Sequence, residues 1–441
     1  MTLFRHIKNW YLLALLAGLP FSIFAQDNTL KISLHDAVDL AVKSNYELEI
    51  AKNNVEANTI LNHYGIAGGL PTVTGNIANT EQLTNLKQNL SNGTETNKRG
   101  TTGNNTQANI TAGILLYNGN RVVTTKKRLG IQEDQSKENL NSLLQNTIAE
   151  VSTSYYDVVR QHSYINTIKT SILASQKRLE ILRVRKEAGM ANNADIFQAE
   201  IDLNTLNQSL LEQEMVEKIA KTQLRYLLVL ENNAEILVTD TVIVWQPITL
   251  EPILEGLKNN ADYKAADQQI KINELLVRET AAQRYPSVRF NMAYNYSRNQ
   301  STAGFTLLNR TVGPNANITL SIPIYNGTVY RRQQEVAELN TQNARIQKDI
   351  ILRDNSSSAV SIYQTYMSSL EQIEIQKKNH ELSKALLQLT LERFALIQAT
   401  IIDVREAQKS FEDSGYKLIN LNFAAKAAEI ELNRLTNSLE I

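Results

Sequence analysis

The chain contains the same ordered set of short segments twice. Pro71 and Pro286 each end a helical pattern and begin an alternating one, at an offset of 286 − 71 = 215 residues. A Tyr-Asn-Gly triplet also recurs, and the segment around Asp195 recurs around Asp403, both at an offset of 208 residues. Three landmarks in one order predict an internal duplication of a unit of roughly two hundred residues, far longer than a solenoid repeat.

The N-terminus has the pattern of a secretory signal. A positively charged start is followed by an apolar run over residues 10–24 that ends at Ala25, which is typical of a cleaved signal peptide. We therefore assign 1–25 to the signal and expect the mature chain outside the cytoplasm. The duplication divides the remainder into a first structural repeat, 26–247, and a second, 248–441.

Composition excludes several classes of function. The 45 basic residues balance the 45 acidic ones, so no net field recruits nucleic acid. The chain has no cysteine, which removes disulfides and thiolate chemistry. No phosphate-binding glycine loop, nucleophile elbow or zinc motif is present. We predict that the protein is not an enzyme and needs no cofactor.

Two stretches predict helices of unusual length. From Val123 to Glu187 there is no proline and one glycine, and apolar residues recur at spacings of three and four. One helix of this length would measure about 97 Å at ~1.5 Å per residue. The second copy does the same from Val329 to Phe394. Helix stop and start signals follow each stretch, which places hairpin tips near 188–195 and near 394–403.

The returning helix of the second hairpin carries a narrow apolar seam. Its seam positions advance in steps of three and four: Val404, Ala407, Phe411, Ser414, Leu418, Leu421, Ala425, Ala428, Leu432, Leu435 and Leu439. A narrow seam buries only one stripe, so a hairpin of this length is expected to pack against neighbouring copies. A coiled-coil structural protein without a lumen is one alternative that this pattern leaves open.

Four segments alternate apolar and polar residues with a period of two. We predict strands at 71–79, 107–117, 286–297 and 314–325, close to the length of a membrane-crossing strand. A half-buried sheet in a soluble protein would show the same alternation.

The connections between paired strands have a different composition. Residues 79–106 and 297–313 are rich in Asn, Thr, Gly and Ser. This composition predicts exposed loops with little fixed structure.

Strands are the only predicted route across a bilayer. After the signal no segment approaches about 18 consecutive apolar residues, so a spanning helix is not expected. Four strands leave two unpaired edges, which lipid does not tolerate. Two copies would give eight strands, a cylinder filled by its own side chains, whereas three give twelve and an open lumen. We therefore predict a homotrimer with cyclic symmetry.

These elements, in this order, resemble the TolC-like outer-membrane efflux protein family. The residues that carry the resemblance open the mature chain, enter and leave the strands, and form the tips: Ile32 to Ala41, Leu70-Pro71, Tyr285-Pro286, Leu116 to Gly119, Ile324 to Gly327, Arg185 to Asp195, and Arg393 to Val404. The resemblance implies a mixed α/β membrane protein. Its long helices would form an α-helical barrel of coiled-coil hairpins, continuous with a shared 12-stranded transmembrane β-barrel to which each protomer gives four strands.

The resemblance also implies a function. Such a protein is the passive outer-membrane exit duct of a tripartite efflux or type I secretion system, and it extends into the periplasm. Small molecules, metals or proteins would reach it from a periplasmic adaptor and an inner-membrane transporter. A periplasmic adaptor is a second alternative, although adaptors place one hairpin between compact β domains and this chain has two hairpins.

In the family, carboxylates ring the periplasmic entrance. The matching residues here are Asp403 and Glu406, with Asp195 in the first hairpin. Asp403 and Glu406 stand three apart and project from one side of a helix. In a trimer the ring would attract cations and raise the proton affinity of some of its members. The alternative is that the two aspartates cap helix starts and that Glu406 is an ordinary surface charge.

The resemblance further implies that the tips dock an adaptor. The matching residues are Gly189, Met190, Ala191, Ile397 and Ala399. This chain departs from the family pattern, because Ile397 stands where a tip glycine is common. Phe394 lacks the hydroxyl that a tyrosine would offer there.

Overall fold

The computed structural model describes residues 29–231, 235–242 and 248–440, so the predicted signal at 1–25 lies outside the described part. In chain order the elements are β1 (Thr29–Ile32), α1 (Leu34–Ser44), α2 (Tyr46–Leu61), β2 (Thr72–Asn89), β3 (Glu95–Asn118), α3 (Arg121–Glu187), α4 (Asn193–Leu227), β4 (Glu235–Val238), α5 (Leu250–Gly256), α6 (Ala261–Ala282), β5 (Ser287–Ser301), β6 (Leu308–Ser321), α7 (Val329–Ala395) and α8 (Ile401–Leu435).

Two helices dominate the molecule. The helices α3 and α7 each have 67 residues, which is about 100 Å at ~1.5 Å per residue. Each turns back into a helix of 35 residues, α4 and α8 respectively. None of the described helices is both long and apolar enough to cross a membrane.

The helices lie side by side in four columns. The first half of α3 contacts α2 and α6, as in the ion pair of 2.7 Å between Arg128 and Glu279. Its second half contacts α4 and α8, as where the Ser175 hydroxyl meets Gln408 at 3.2 Å. The helix α7 packs against α6 and α8 on the far side. The columns are therefore α2 with α4, then α3, then α6 with α8, and finally α7.

The four long strands form one antiparallel sheet in the order β2-β3-β5-β6. Its register places apolar residues opposite each other in successive rows, for example Ala112 opposite Met292, and Phe290 opposite Ile318. The alternate rows are polar, with Asn109 opposite Asn295. Residues that stand opposite share a face, so one face of the sheet is apolar and the other is rich in asparagine and threonine.

The polar face is linked across the strands by asparagine side chains. The Asn76 amide donates to Asn109 at 3.1 Å, and the Asn295 amide donates to Asn315 at 2.9 Å. Near the inner end of the sheet, a bulge between Leu115 and Tyr117 shifts the alternation. Tyr117 stands opposite Val288 on the apolar face, where strict alternation from Ile114 would place Leu116, because the extra residue changes the pleat by one.

The predicted loops are mostly strand. The strand β2 continues to Asn89 and β3 begins at Glu95, so only 90–94 turns, and the second hairpin turns at 302–307. The prediction of unstructured loops was wrong because polar side chains pair across these strands. The Asn79 side-chain oxygen, for example, accepts from Asn104 and Thr106, both at 2.9 Å.

Two further features differ from the sequence-based expectation. The last strand ends at Ser321 and not at residue 325, and Pro323, which has no N–H to donate, follows two residues later. A parallel pair of four-residue strands, β1 and β4, was not predicted, because strands this short carry no clear periodicity.

A buried tyrosine ties this parallel pair to α3. The Tyr155 hydroxyl lies 3.0 Å from both the Ile32 carbonyl oxygen and an Asp240 carboxylate oxygen. Asp240 also accepts from the Leu34 amide at 2.8 Å. Burial raises the pKa of Tyr155, so the phenol stays protonated as a donor. This site fixes the middle of the helical layer.

Left-handed backbone conformations recur at an offset of 208 residues. The matched pairs with positive φ are Gly119 and Gly327, Asn120 and Thr328, Gly189 and Ile397, and Val229 and Asn437. Such conformations are uncommon outside glycine, so matched occurrences support the predicted duplication.

Candidate gate at the hairpin tips

Each long helix ends in the same capping motif. At the end of α3 the Met190 amide donates to the Arg185 carbonyl at 2.8 Å, and Gly189 donates to Lys186 at 2.9 Å. This is the Schellman arrangement, which requires a left-handed residue. Gly189 meets that requirement at φ 75°.

The end of α7 repeats the motif with an unfavourable residue. The Gln398 amide donates to the Arg393 carbonyl at 2.8 Å, which places Ile397 at φ 63°. A β-branched residue is strained in this region. The tip of the second hairpin therefore stores backbone strain that the first tip does not have.

Both returning helices begin with a capping box. The Asp195 amide donates to the Asn192 side-chain oxygen at 2.9 Å. In the second hairpin the Asp403 carboxylate accepts from the Thr400 amide at 2.7 Å and from the Thr400 hydroxyl at 2.8 Å. The two aspartates therefore cap their helices, as the alternative in the sequence analysis had it. Capping uses the carboxylate without neutralising it, so it is compatible with a role at an entrance.

The electrostatic state of Asp403 follows from its cap. Hydrogen bonds from the Thr400 backbone and side chain lower the pKa of Asp403 below its ordinary value of 3.8. The residue is exposed and carries a full negative charge at neutral pH. Glu406, one turn further along, is also exposed and makes no ion pair within the described part of the chain. It lines an open groove between α7 and α8 together with Lys409 and Asp413.

The tips of the two hairpins pack against each other around a shared apolar core. Buried residues from α3, α4, α7 and α8 form it: Leu179, Leu182, Ile196, Ala199, Leu387, Leu391, Phe394, Val404, Ala407 and Phe411 are among them. The Arg185 guanidinium lies over the Phe394 ring at 4.2 Å from its centroid. A cation–π contact thus joins the ends of α3 and α7 at the residue where the family pattern would place a hydroxyl.

The five predicted docking residues are not equally accessible. Gly189, Met190 and Ile397 are exposed, the last two with about 60% of their surface free. Ala191 and Ala399 are half-buried against the tip core.

One charged cluster near the tips was missed by sequence reasoning. The guanidinium of Arg178 on α3 is 1% exposed and lies 2.8 Å from an Asp202 oxygen on α4. Arg405 on α8 reaches the same oxygen at 3.2 Å. Burial lowers the pKa of Arg178, and two of its nitrogens, Nε and Nη1, have no partner in the described structure. The sequence gives one indication of this cluster: Arg178 directly precedes Leu179, in a stretch where apolar residues recur at spacings of three and four.

The comparisons with known proteins agree with this geometry. Residues 253–438, which fall within the predicted second repeat, match the family model described as outer membrane efflux protein. An export protein of Aggregatibacter actinomycetemcomitans, named toxin and drug export protein A, is 22% identical over 318 residues, covering 71% of this chain and 66% of that protein. An uncharacterised Haemophilus influenzae protein is 21% identical over 298 residues, covering 66% of this chain and 64% of its own length. The chain thus spans about two thirds of these relatives.

Solved channels share the fold. The CusC structure, described by its transmembrane channel formation, superposes with a TM-score of 0.76 at 16% identity, covering 92% of this chain and 93% of CusC. The Campylobacter jejuni CmeC outer membrane channel gives 0.74 at 14% identity, covering 92% and 86%. The open Neisseria gonorrhoeae MtrE channel gives 0.67 at 15% identity, covering 92% and 88%.

The chain therefore has the fold of these outer-membrane channels, and its residues 253–438 resemble the outer membrane efflux protein family, in agreement with the resemblance predicted from the sequence. Those matched proteins whose names describe a role are channels and an export protein and not enzymes, in agreement with the prediction from sequence.

Proposed function

We propose that this chain is the outer-membrane exit duct of a tripartite efflux or type I secretion system. Three copies would share a 12-stranded β-barrel in the outer membrane and one helical tube in the periplasm. Small molecules, metals or proteins would enter from a periplasmic adaptor and an inner-membrane transporter. The observation that carries this proposal is a sheet with one continuous apolar face and two open edges.

The apolar face has the height of a bilayer. Along β5 it extends from Val288 to Tyr296, which is eight steps or about 27 Å of strand at ~3.4 Å per residue. After the usual tilt this is comparable with the apolar band of an outer-membrane barrel, about 25 Å. Ile77 and Ile318 on this face are 85% and 69% exposed in the single chain. Lipid would cover such residues.

The open edges of the molecule support a ring of copies. The edge strands β2 and β6 have one neighbour each in the described sheet. The helical layer also ends in unlike columns, α2 with α4 on one side and α7 on the other. Both outer columns carry exposed apolar residues, among them Ile201, Leu211 and Met215 on α4, and Val336, Leu339 and Ile346 on α7. Joining unlike edges around an axis closes the sheet and the helical layer at once.

The tip residues suit an entrance in this assembly. Three copies would place three Asp403 and three Glu406 carboxylates around one axis, with Asp195 on the alternate hairpins. We propose that this ring favours cations. The exposed Gly189, Met190 and Ile397, with Ala191 and Ala399 beside them, would receive the adaptor.

The assembly is tested by fractionation and mass. The duct should stay with outer membranes during a high-salt wash, and in detergent it should run as a trimer that heat dissociates. A protein released by salt would favour the periplasmic adaptor. A monomer that is stable without detergent would favour a structural coiled coil, and either result would contradict the duct.

The entrance is tested by conductance. In planar bilayers the double variant Asp403→Asn with Glu406→Gln should lose much of the cation preference of the wild type, because it removes charge while the Asn side chain can still cap the helix. Asp39→Asn, on α1 and far from the tips, where Asp39 pairs with Lys43 at 2.6 Å, is the matched control and should leave selectivity unchanged. Unaltered selectivity in the double variant would contradict the ring.

A further inference from the structure

An arginine pair stands immediately beyond the apolar face of the sheet. The last apolar row holds Tyr296 opposite Val312, and the next row on the same face holds Arg298 opposite Arg310. Both arginines are exposed. This row lies toward the hairpin turns, at the end of the sheet away from the helices.

The pair has an unbalanced charge within the described chain. Neither arginine takes part in an ion pair among the described residues: Arg298 donates to Gln300 at 2.8 Å, and the Arg310 guanidinium lies 5.4 Å from the centroid of the Tyr296 ring. Like charges directly opposite each other in an antiparallel pair are destabilising. The next row carries Glu81, but on β2, two strands from β5, or about 10 Å away. Since no carboxylate of the described chain balances the two guanidinium groups, an anion from outside the chain would stabilise them.

We propose that Arg298 and Arg310 bind the phosphate groups of anionic lipid in the outer leaflet. The inference rests on the proposed function, since it needs the apolar face to lie in the outer membrane. With the helices in the periplasm, the hairpin turns point outward, so this row meets the outer headgroups. Guanidinium groups form paired hydrogen bonds with phosphate, and the long aliphatic stems reach from the apolar edge to the polar layer.

The adjacent tyrosine strengthens the assignment. Outer-membrane barrels carry aromatic residues at the boundary between the apolar band and the headgroups. Tyr296 occupies that boundary on β5, and the Arg310 guanidinium lies over its ring in a cation–π contact. The zero net charge of the whole chain does not oppose this site, because headgroup binding depends on charge within a Debye length, roughly 10 Å.

The test compares lipid binding by variants of the full chain in neutral detergent. Native mass spectrometry would count bound diphosphorylated lipid A on the wild-type assembly and on Arg298→Gln with Arg310→Gln. We expect apparent affinity to fall at least fivefold in the double variant, since each basic residue near an anionic surface contributes about a factor of five. Arg289→Gln, on the opposite face of the same strand, is the matched control and should bind as the wild type does.

Three outcomes would overturn the proposal. The first is that the double variant binds lipid A as tightly as the wild type does. The second is that inorganic phosphate stabilises the wild type as much as lipid A does, which would indicate a general anion site. The third is loss of trimer in both the double variant and Glu81→Gln, with lipid binding intact. That result would assign the arginines to an ion pair with the next copy. The two single variants replace the double variant if it does not assemble.

The result is separable from the duct itself. If the double variant conducts in neutral phosphatidylcholine bilayers but loses lipid A binding, both proposals stand. If it conducts and binds lipid A normally, only the lipid site fails. A wild-type protein that inserts into no bilayer would instead refute the duct.

Discussion

At the scale of single residues, the two hairpin tips differ in how they form one backbone conformation. Gly189 adopts positive φ without a clash, since a Cβ placed there would meet no atom within 4 Å. Ile397 adopts it with a branched side chain that is 62% exposed and so gains little from packing. Ile397 therefore lowers the stability of the second tip, at a surface where we propose that the adaptor binds.

The strain predicts a stabilising substitution. Ile397→Gly should raise stability by about 1 kcal/mol, because left-handed backbone costs an L-residue roughly 1–2 kcal/mol, which exceeds the entropic cost of glycine. The measurement is the temperature at which the assembly unfolds in detergent. The reciprocal control, Gly189→Ala, should lower that temperature. A lower temperature for Ile397→Gly would show that the side chain makes stabilising contacts in the assembly.

A second residue-scale prediction concerns His380, which lies between α7 and α8. Its Nδ1 is 3.1 Å from the Ser414 hydroxyl, and its ring stacks on Phe411 at 5.1 Å between centroids. Burial, with a smaller contribution from Lys384, lowers the pKa of His380 below its ordinary value of 6.5, and Glu381 opposes this shift. Since the folded protein then binds the proton less tightly than the unfolded chain, acidification through this pKa favours unfolding.

The pH dependence can be measured directly. Stability should be full above pH 6.5 and decline as the pH falls below it. His380→Gln should flatten this decline. His162→Gln is the matched control, since His162 is exposed and pairs with Glu217 at 3.0 Å, and it should keep the decline. An unchanged slope in His380→Gln would remove His380 as its source.

At the scale of elements, one carboxylate links three helices near the tips. Asp202 of α4 accepts from buried Arg178 of α3 and from half-exposed Arg405 of α8. The two ion pairs are expected to contribute differently to the free energy of unfolding, because Arg178 is buried and Arg405 is half-exposed. A pair exposed to water contributes little, whereas a buried guanidinium without its partner is an uncompensated charge.

This difference predicts unequal effects of two substitutions. Asp202→Asn should destabilise the assembly by about 3 kcal/mol or more, since it leaves Arg178 buried without a counter-charge. Arg405→Gln should cost less than about 1 kcal/mol. Both are measured by unfolding in denaturant. If Arg405→Gln were the more costly, the stability would come from the link to α8 and not from the buried pair.

At the scale of the whole molecule, the two faces of the sheet should respond differently to the same charge. Ile318 lies on the apolar face and its neighbour Asn317 on the polar face of β6. Ile318→Arg should reduce membrane insertion by up to about 2–4 kcal/mol, the value for a site at the bilayer centre, because Ile318 lies one row from the central row of the apolar face. Asn317→Arg should insert normally and shift conductance toward anions. Equal tolerance of both would place neither face in lipid.

The predictions that rest on local sequence signals, the helix starts and the long helices, are confirmed by the structure. Asn192 with Asp195 and Thr400 with Asp403 were recognised as helix starts, and both pairs form capping boxes. A capping box depends only on residues three apart, so it can be recognised without knowledge of the tertiary contacts. The long helices were recognised for the same reason, since each turn repeats the same apolar spacing.

Non-local features were missed or misjudged. The partner of Arg178 lies 24 residues away on the next helix, and no local pattern indicates that the guanidinium is buried. Residues 79–106 read as loop from composition, yet they pair as strands because the facing strand supplies hydrogen bonds to Asn79 and its neighbours.

The sequence by itself determined the long helices, the central parts of the four long strands, the turns at the tips and the exclusion of thiol chemistry, because periodicity, caps and composition act within one or two turns of chain. Only the tertiary structure decided the strand register, the parallel pair of β1 and β4, the buried arginine and the arginine row beyond the apolar face. Those features depend on which segments stand opposite each other, and that is set by packing of the whole chain and not by neighbours in sequence.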